Sequence, residues 1–361
     1  MNVLNTIESF INRYQTFIHA KRQVHYWNNI FKQNIKSLGG GNLTNTQESQ
    51  IKTLYSKYCR ISTVCHRFYT LATGKFDARY IPDDLYYAYI DPFYNDWDRA
   101  VHIDHKGYYR LMFPGAKQPT LLVYRMNSYW YDKDGSLIDC NEAIRICRSV
   151  KTCFVKQATE SEGGHGITFM DNSQDDEARI VEVFNNTKFD LVVQAGLEQS
   201  NILSAINESS VNTIRLYTLF KRDGSVKLYS VILRMGINGA KVDNAISGRI
   251  TVGVEEDGRL KKYAYNAKGV RFDKHPTSGV RFNDYIIPNF DKVKALVLSQ
   301  ALNFPHFRII SWDVAIDKDN EPVIIEANLR FGEIDFHQLN NGPLFGDDTE
   351  EILKEVFCSH K

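Results

Sequence analysis

Residues 323–332 read VIIEANLRFG, an apolar run that ends in a carboxylate, an amide and a cation. Along a strand, residues two apart point to one face, so Glu326 and Asn328 share a side. The stretch FRIISWDVAIDKDNEPVIIEAN contains two apolar runs joined by the turn DKDNEP. Hairpin pairing of these runs brings Asp313 level with Glu326 and Asn328. Three oxygen donors on one face suit a hard divalent cation. Mg²⁺ in particular is held by one or two carboxylates together with substrate phosphates. Arg330, two residues beyond Asn328, continues that face and is placed for a substrate carboxylate or phosphate.

A second group lies upstream in FVKQATESEGGHGITFM, residues 154–170. Lys156 stands on a strand, and a glycine-rich turn containing Ser161, Gly163, Gly164 and Gly166 follows before a second apolar strand. Glycines let backbone N–H groups approach phosphate oxygens closely, and a lysine adds a compact charge. Neither a GxGxxG fingerprint nor a Walker A sequence occurs, so Rossmann and P-loop chemistry are not indicated.

The elements that must position these residues follow from pattern. Residues 1–37 carry apolar positions near a 3.6 period and predict an amphipathic helix. GGGNLTNTQES breaks it, and Thr44 or Asn45 with Glu48 is expected to cap a second helix over roughly 46–72. Tyrosines and Pro82, Pro92, Pro114 and Pro119 crowd residues 77–131, and NEAIRICRSV reads as a short helix. From there strands such as CFVKQ, DLVVQ, TIRLYTLF, KLYSVILRMG and RITVGVEE alternate with helices, and RDGS and EDGR mark hairpin turns. The expected fold class is α+β with much antiparallel pairing.

Composition fits a globular chain of 361 residues, 43% apolar and 24% charged, with a net charge of +1. Residues 1–75 hold ten Lys/Arg against Glu8 and Glu48, a net +8 that leaves −7 for the rest. These basic helices are a candidate contact with an anionic membrane surface. The six cysteines form no CxxC pair, so reduced thiols and a cytoplasmic location are expected, with the inner face of the membrane as the candidate place of contact. No run approaches the length of a spanning helix, and no nucleic-acid recognition module accompanies the basic residues.

Taken in order, these elements resemble the ATP-grasp superfamily. The motifs SSVNTIRLYT, ILRMGINGAKVDNAISG, KHPTSGVRFNDYIIPNF and WDVAIDKDNEPVIIEAN resemble, more narrowly, its sugar-transfer-associated family, over roughly residues 77–350. The resemblance implies an ATP-grasp fold, two α+β subdomains gripping ATP, behind an N-terminal helical segment. The implied division is a helical segment over 1–75, an α/β part over 76–148, a small lid subdomain over 149–199 and a large subdomain over 200–361. It implies that Lys156 binds nucleotide phosphates and that the 161–166 loop closes over them. Gln194, Ala195, Gly196 and Leu197 would edge the adenine, with Glu198 on the ribose. Arg215 would contact the γ-phosphate or the transferring group. Asp313, Glu326 and Asn328 would hold Mg²⁺, with two ions expected and Mn²⁺ able to substitute. Asn244 and His275 sit in family motifs and are grouped with the cofactor-binding residues. Ser247-Gly248-Arg249 departs from the paired glycines the family pattern leads one to expect, which bears on local loop geometry and substrate choice. Lys117 and Arg125 are candidates for an earlier phosphate-binding cation.

The implied activity is an ATP- and Mg²⁺-dependent carboxylate–amine ligase working through an acyl phosphate, in capsule or O-antigen assembly. Its substrates would be small-molecule or sugar-linked carboxylates and amines. The alternatives are a kinase acting on a hydroxyl and a nucleotide-binding scaffold without activity.

Overall fold

The computed structural model describes residues 3–103, 105–159, 166–188, 190–239 and 248–358. It opens with α1 (Val3–Ser37), α2 (Asn45–Tyr55) and α3 (Val64–Thr73). The single helix expected over 46–72 is therefore two. The chain leaves helical geometry after Tyr55 and re-enters it at Val64, so that Ile51, Leu54 and Tyr55 of one helix and Cys65, Phe68 and Tyr69 of the other are buried. The cap is a box between Thr44 and Gln47, three residues on, and not Glu48: Thr44 N–H donates to Gln47 Oε1 at 2.9 Å and Gln47 N–H to Thr44 Oγ1 at 3.2 Å. These helices are packed onto the rest of the chain. Phe31 stacks on Phe68, and Trp27 stacks on Tyr87 at 5.3 Å.

Six strands form the first sheet: β1 (Leu121–Met126), β2 (Tyr129–Asp132), β3 (Leu137–Ile138), β4 (Thr152–Gln157), β5 (Ile167–Asp171) and β6 (Leu191–Ala195), in the order β3-β2-β1-β6-β4-β5. Strands from 121–138 and from 152–195 thus share one sheet, and the implied boundary at 148/149 falls inside it. Two helices cover one face, α4 (Cys140–Arg148) and α5 (Glu177–Asn186), each started by an aspartate that accepts a backbone N–H, Asp139 from Glu142 and Asp176 from Arg179. Cys153, Val155, Leu191 and Val193 point into this helical core. By alternation Phe154, Lys156 and Gln194 point the other way.

The second sheet contains β7 (Thr213–Phe220), β8 (Val226–Gly236), β9 (Arg249–Val254), β10 (Leu260–Tyr265), β11 (Arg271–Phe272), β12 (Ile309–Ile316) and β13 (Pro322–Asn328), in the order β11-β10-β9-β8-β7-β12-β13. All its pairings are antiparallel, as RDGS and EDGR predict for the β7–β8 and β9–β10 turns. Every residue of β12 is buried, because both faces are covered. Ile310, Trp312, Val314 and Ile316 face a core shared with α6 (Phe290–Ala301). The opposite face meets α7 (Ile334–Asn341) and the helical N-terminal part.

One irregularity decides what that second face carries. Asp313 pairs with Glu326 but Val314 pairs with Ile324, so Ile325 is an extra residue, a β-bulge. Without it Ile324 and Glu326, two apart, would share a face. With it Ile324 enters the apolar core while Glu326 turns to the side of Asp313.

Asn95 fastens both of these strands. Its side chain donates to Ile309 O at 2.7 Å and Leu329 O at 2.6 Å and accepts from Ile309 N–H at 3.0 Å. Replacement Asn95→Ala orphans these buried groups and is expected to lower unfolding free energy by about 2–4 kcal/mol. The check is a lower denaturant midpoint at unchanged slope; an unchanged midpoint would contradict the fastening role.

Candidate functional site

Arg215 on β7, Arg234 on β8, Arg249 on β9, Asp313 on β12 and Glu326 and Asn328 on β13 share one face of the large sheet. Their pairing follows from register. Asp313 sits opposite Arg215, whose Nε donates to Oδ1 at 2.8 Å and Nη2 to Oδ2 at 2.6 Å, a bidentate fork. Arg234 Nη1 reaches Oδ2 of the same carboxylate at 2.8 Å. Burial alone would raise the Asp313 carboxyl, but Arg215 and Arg234 hold it well below the usual carboxylate range. Glu333 closes the group, accepting from Arg215 Nη1 and from Arg249 Nη2. Against its burial, Arg215, Arg249 and Arg234 bring Glu333 down to about 2. Glu333 lies just ahead of α7 with a left-handed φ of 54°, as does Phe331 at 55°, a costly conformation for side-chain-bearing residues.

The small sheet supplies the facing wall. Lys156 Nζ donates to Gln194 Oε1 at 2.8 Å. Burial first, then the charge of Lys106, lowers its ammonium to about 8, with Glu326 opposing. Lys106 Nζ spans the gap to Glu326 Oε1 at 2.8 Å, and only 8% of its side chain is exposed. Five cations, Lys106, Lys156, Arg215, Arg234 and Arg249, thus face three carboxylates, Asp313, Glu326 and Glu333. With Lys156 protonated, the group has a net charge of +2 that suits a polyphosphate anion.

The donor set also fits Mg²⁺. Among the described residues no cluster of three His, Cys, Asp or Glu side chains could cage a metal on its own. Asp313 is ionised, Glu326 reaches the gap between the sheets, and Asn328 uses its Nδ2 on Ser311 O at 3.0 Å, which leaves its Oδ1 as a donor. Two carboxylates and an amide oxygen, with phosphates completing the shell, are hard-ion chemistry.

Other expected site residues fall differently. Ser161, Gly163, Gly164 and Asn244 lie outside the described residues; Gly166 is described, and its carbonyl accepts from Gln157 N–H at 3.0 Å. Gln194 through Glu198 lead from the small sheet to the large one. Gly196 N–H donates to Thr152 O, and a Cβ at Gly196 would lie 2.1 Å from Thr152 Oγ1, so a side chain there would force Thr152 to move. Ala195 N–H donates to Thr120 O at 2.9 Å, Leu197 is half-buried, and Glu198 is exposed and paired with Lys318 at 2.9 Å.

His275 is a correction: it is fully buried, its Nε2 meets Gly236 O at 3.0 Å and its Nδ1 accepts from Ser278 N–H at 3.2 Å, so no ring nitrogen is left for a nucleotide. Arg330 is another. β13 ends at Asn328, the alternation does not continue through the following bend, and the Arg330 guanidinium rests over the Phe331 ring at 5.9 Å. Neither candidate for the early cation meets the cluster. Lys117 pairs with Asp317, and Arg125 donates to Phe184 O and Thr187 O while lying over Trp130. The cation of this region that meets the cluster is Lys106, in a short turn ahead of β1 and not on that first strand. It was hidden in the Tyr- and Pro-rich stretch, 220 residues from its partner. Arg234 and Arg249 carried a usable signal, two arginines on apolar strands, and Glu333 had none because it follows the end of the strand pattern.

Comparison with solved structures finds likeness at low identity. The ATP-grasp ligase PsnB complexed with minimal precursor is 14% identical with a TM-score of 0.41, over 73% of this chain and 64% of that one. The biotin carboxylase domain of Hydrogenobacter thermophilus 2-oxoglutarate carboxylase, in complex with MgADP and bicarbonate, is 16% identical with a TM-score of 0.44, over 73% and 47%. An L-amino acid ligase from Bacillus licheniformis is 13% identical with a TM-score of 0.40, over 72% and 48%. The chain spans less than two thirds of the length of each. No curated protein matches. The family model for sugar-transfer associated ATP-grasp proteins matches residues 89–353, the span that contains every charged residue of the cluster, and the chain belongs to that family.

Proposed function

We propose that the protein is an ATP- and Mg²⁺-dependent carboxylate–amine ligase that activates its carboxylate as an acyl phosphate. The observation that supports this most is the cluster itself: five cations and three carboxylates, gathered from both sides of the gap between the two sheets and mostly paired with one another. Phosphoryl transfer asks for alignment and charge neutralisation more than for covalent help. Lys106 and Lys156 would hold the nucleotide phosphates from the small-sheet side. Arg215 has three of its five N–H groups on Asp313 and Glu333, so it offers the remainder to the transferring group from a fixed position. Asp313, Glu326 and Asn328 would hold the metal, which when bound supplies further neutralisation of phosphate charge. In the reaction a carboxylate oxygen attacks the γ-phosphorus and ADP leaves. The amine then displaces phosphate from the acyl carbon and loses a proton. The setting, cell-surface polysaccharide assembly, rests on the family's association with sugar transfer alone.

Hydroxylamine tests the intermediate. Supplied in place of the amine with MgATP and an accepted carboxylate, it should give a hydroxamate and ADP in equal amounts, and Arg215→Ala should reduce both by about 100-fold or more. A phosphorylated hydroxyl product with no amine requirement would indicate the kinase instead.

The titration of Lys156 gives a second prediction. Only the ammonium form attracts phosphate, so nucleotide affinity is complete below about pH 8 and falls as pH rises through that value. Calorimetric dissociation constants between pH 7 and 9.5 should weaken toward tenfold per unit above the break, and Lys156→Arg should flatten the profile. A pH-independent constant in the unmutated protein would contradict the assignment.

A further inference from the structure

Beside the charged cluster lies a cavity of about 780 Å³, a size ordinary for a small-molecule site. Its floor is Arg249 and Glu333, the outer members of the cluster, with Asp335 beside them. Its walls are Trp27 of α1, Tyr87 and Phe331. The aromatic wall is continuous: Trp27 and Tyr87 stack at 5.3 Å, and Tyr87 and Phe331 lie 5.9 Å apart. The N-terminal helix therefore contributes a side of this cavity.

Arg249 is the informative member. It is 5% exposed, stacked on Phe336 at 4.9 Å, and gives Nη2 to Glu333, while its Nε and Nη1 are buried without a hydrogen-bond partner. Buried donors of a guanidinium are rarely left unused, and a planar fork of this kind matches a carboxylate. An oxyanion held there would be joined to Asp313 through three side chains, since Glu333 joins Arg249 to Arg215 and Arg215 joins Asp313. The aromatic wall offers π faces on which the apolar face of a ring can rest.

We infer that this cavity is the site of the carboxylate substrate, that Arg249 holds its carboxylate, and that Trp27, Tyr87 and Phe331 select a ring-bearing acid, either a sugar acid or an aromatic acid. The inference rests on the ligase reading for its place in the reaction, but not for the binding event, so the test is equilibrium binding. D-Glucuronate, benzoate and acetate are titrated into the full chain with and without Mg²⁺ and a non-hydrolysable ATP analogue.

A ring acid should bind more tightly than acetate, and the tighter of glucuronate and benzoate names the ring class. Arg249→Lys keeps the charge beside Glu333 but loses the fork, and should weaken all three acids by on the order of tenfold or more. Trp27→Ala, outside the charged cluster, should weaken the ring acids by about three- to tenfold and leave acetate unchanged. Failure of both ring acids to bind, or binding untouched by both variants, overturns the assignment. Binding that follows the predicted pattern with no ADP release alongside any amine would sink the ligase reading and leave the site standing.

Discussion

The buried carboxylate of Asp313, held by Arg215 and Arg234, is the constraint around which the rest is arranged. Burying three charges costs free energy that their mutual attraction recovers only with good geometry. The geometry here is set by adjacent strands: Asp313 stands opposite Arg215 in the ladder, and Arg215 opposite Ile232, two residues from Arg234. Losing one partner of such a group typically costs about 3–5 kcal/mol, because the others stay buried and unpaired. The sheet tolerates it because both of its faces are otherwise packed with apolar side chains, Trp312 and Val314 on one side and Tyr217 and Leu219 on the other. What results is a rigid array of charge aimed at the gap between two sheets. Preorganisation of this kind is what phosphoryl transfer needs from a protein.

The array is completed from outside the sheet at each end. Glu333 joins Arg215 to Arg249 from a backbone conformation that side-chain-bearing residues seldom adopt, which the packing of α7 holds in place. Lys106 joins the small-sheet side to Glu326. The second connection spans the gap between the two walls, as an ion pair that an incoming polyphosphate can compete for.

Much of this was legible in the sequence where the information is local. The DKDNEP turn joins the two strands in a hairpin, alternation puts Glu326 and Asn328 on one face, and Lys156 was recognisable as a lysine on a strand before a glycine-rich turn. What was not legible depends on long-range register or on breaks in regularity. The bulge at Ile325 changes which face Glu326 occupies, and nothing in VIIEAN signals it. Arg330 leaves that face for the converse reason, because the alternation ends with its strand at Asn328. Lys106 could not be chosen over Lys117 and Arg125 because all three are cations ahead of Lys156, and only the folded chain shows which meets Glu326. His275 was misread because a buried histidine and a ligand histidine look alike until both ring nitrogens are traced.

The central claim is that the face carrying Asp313, Glu326 and Asn328 holds a metal–nucleotide complex. Calorimetric titration of Mg²⁺ with a non-hydrolysable ATP analogue, into the unmutated protein and into Glu326→Ala combined with Asn328→Ala, tests it most directly. Binding that the double variant loses, with its thermal unfolding unchanged, is the predicted result. An unmutated protein that binds no nucleotide, or a double variant that binds as well as the parent, would contradict it.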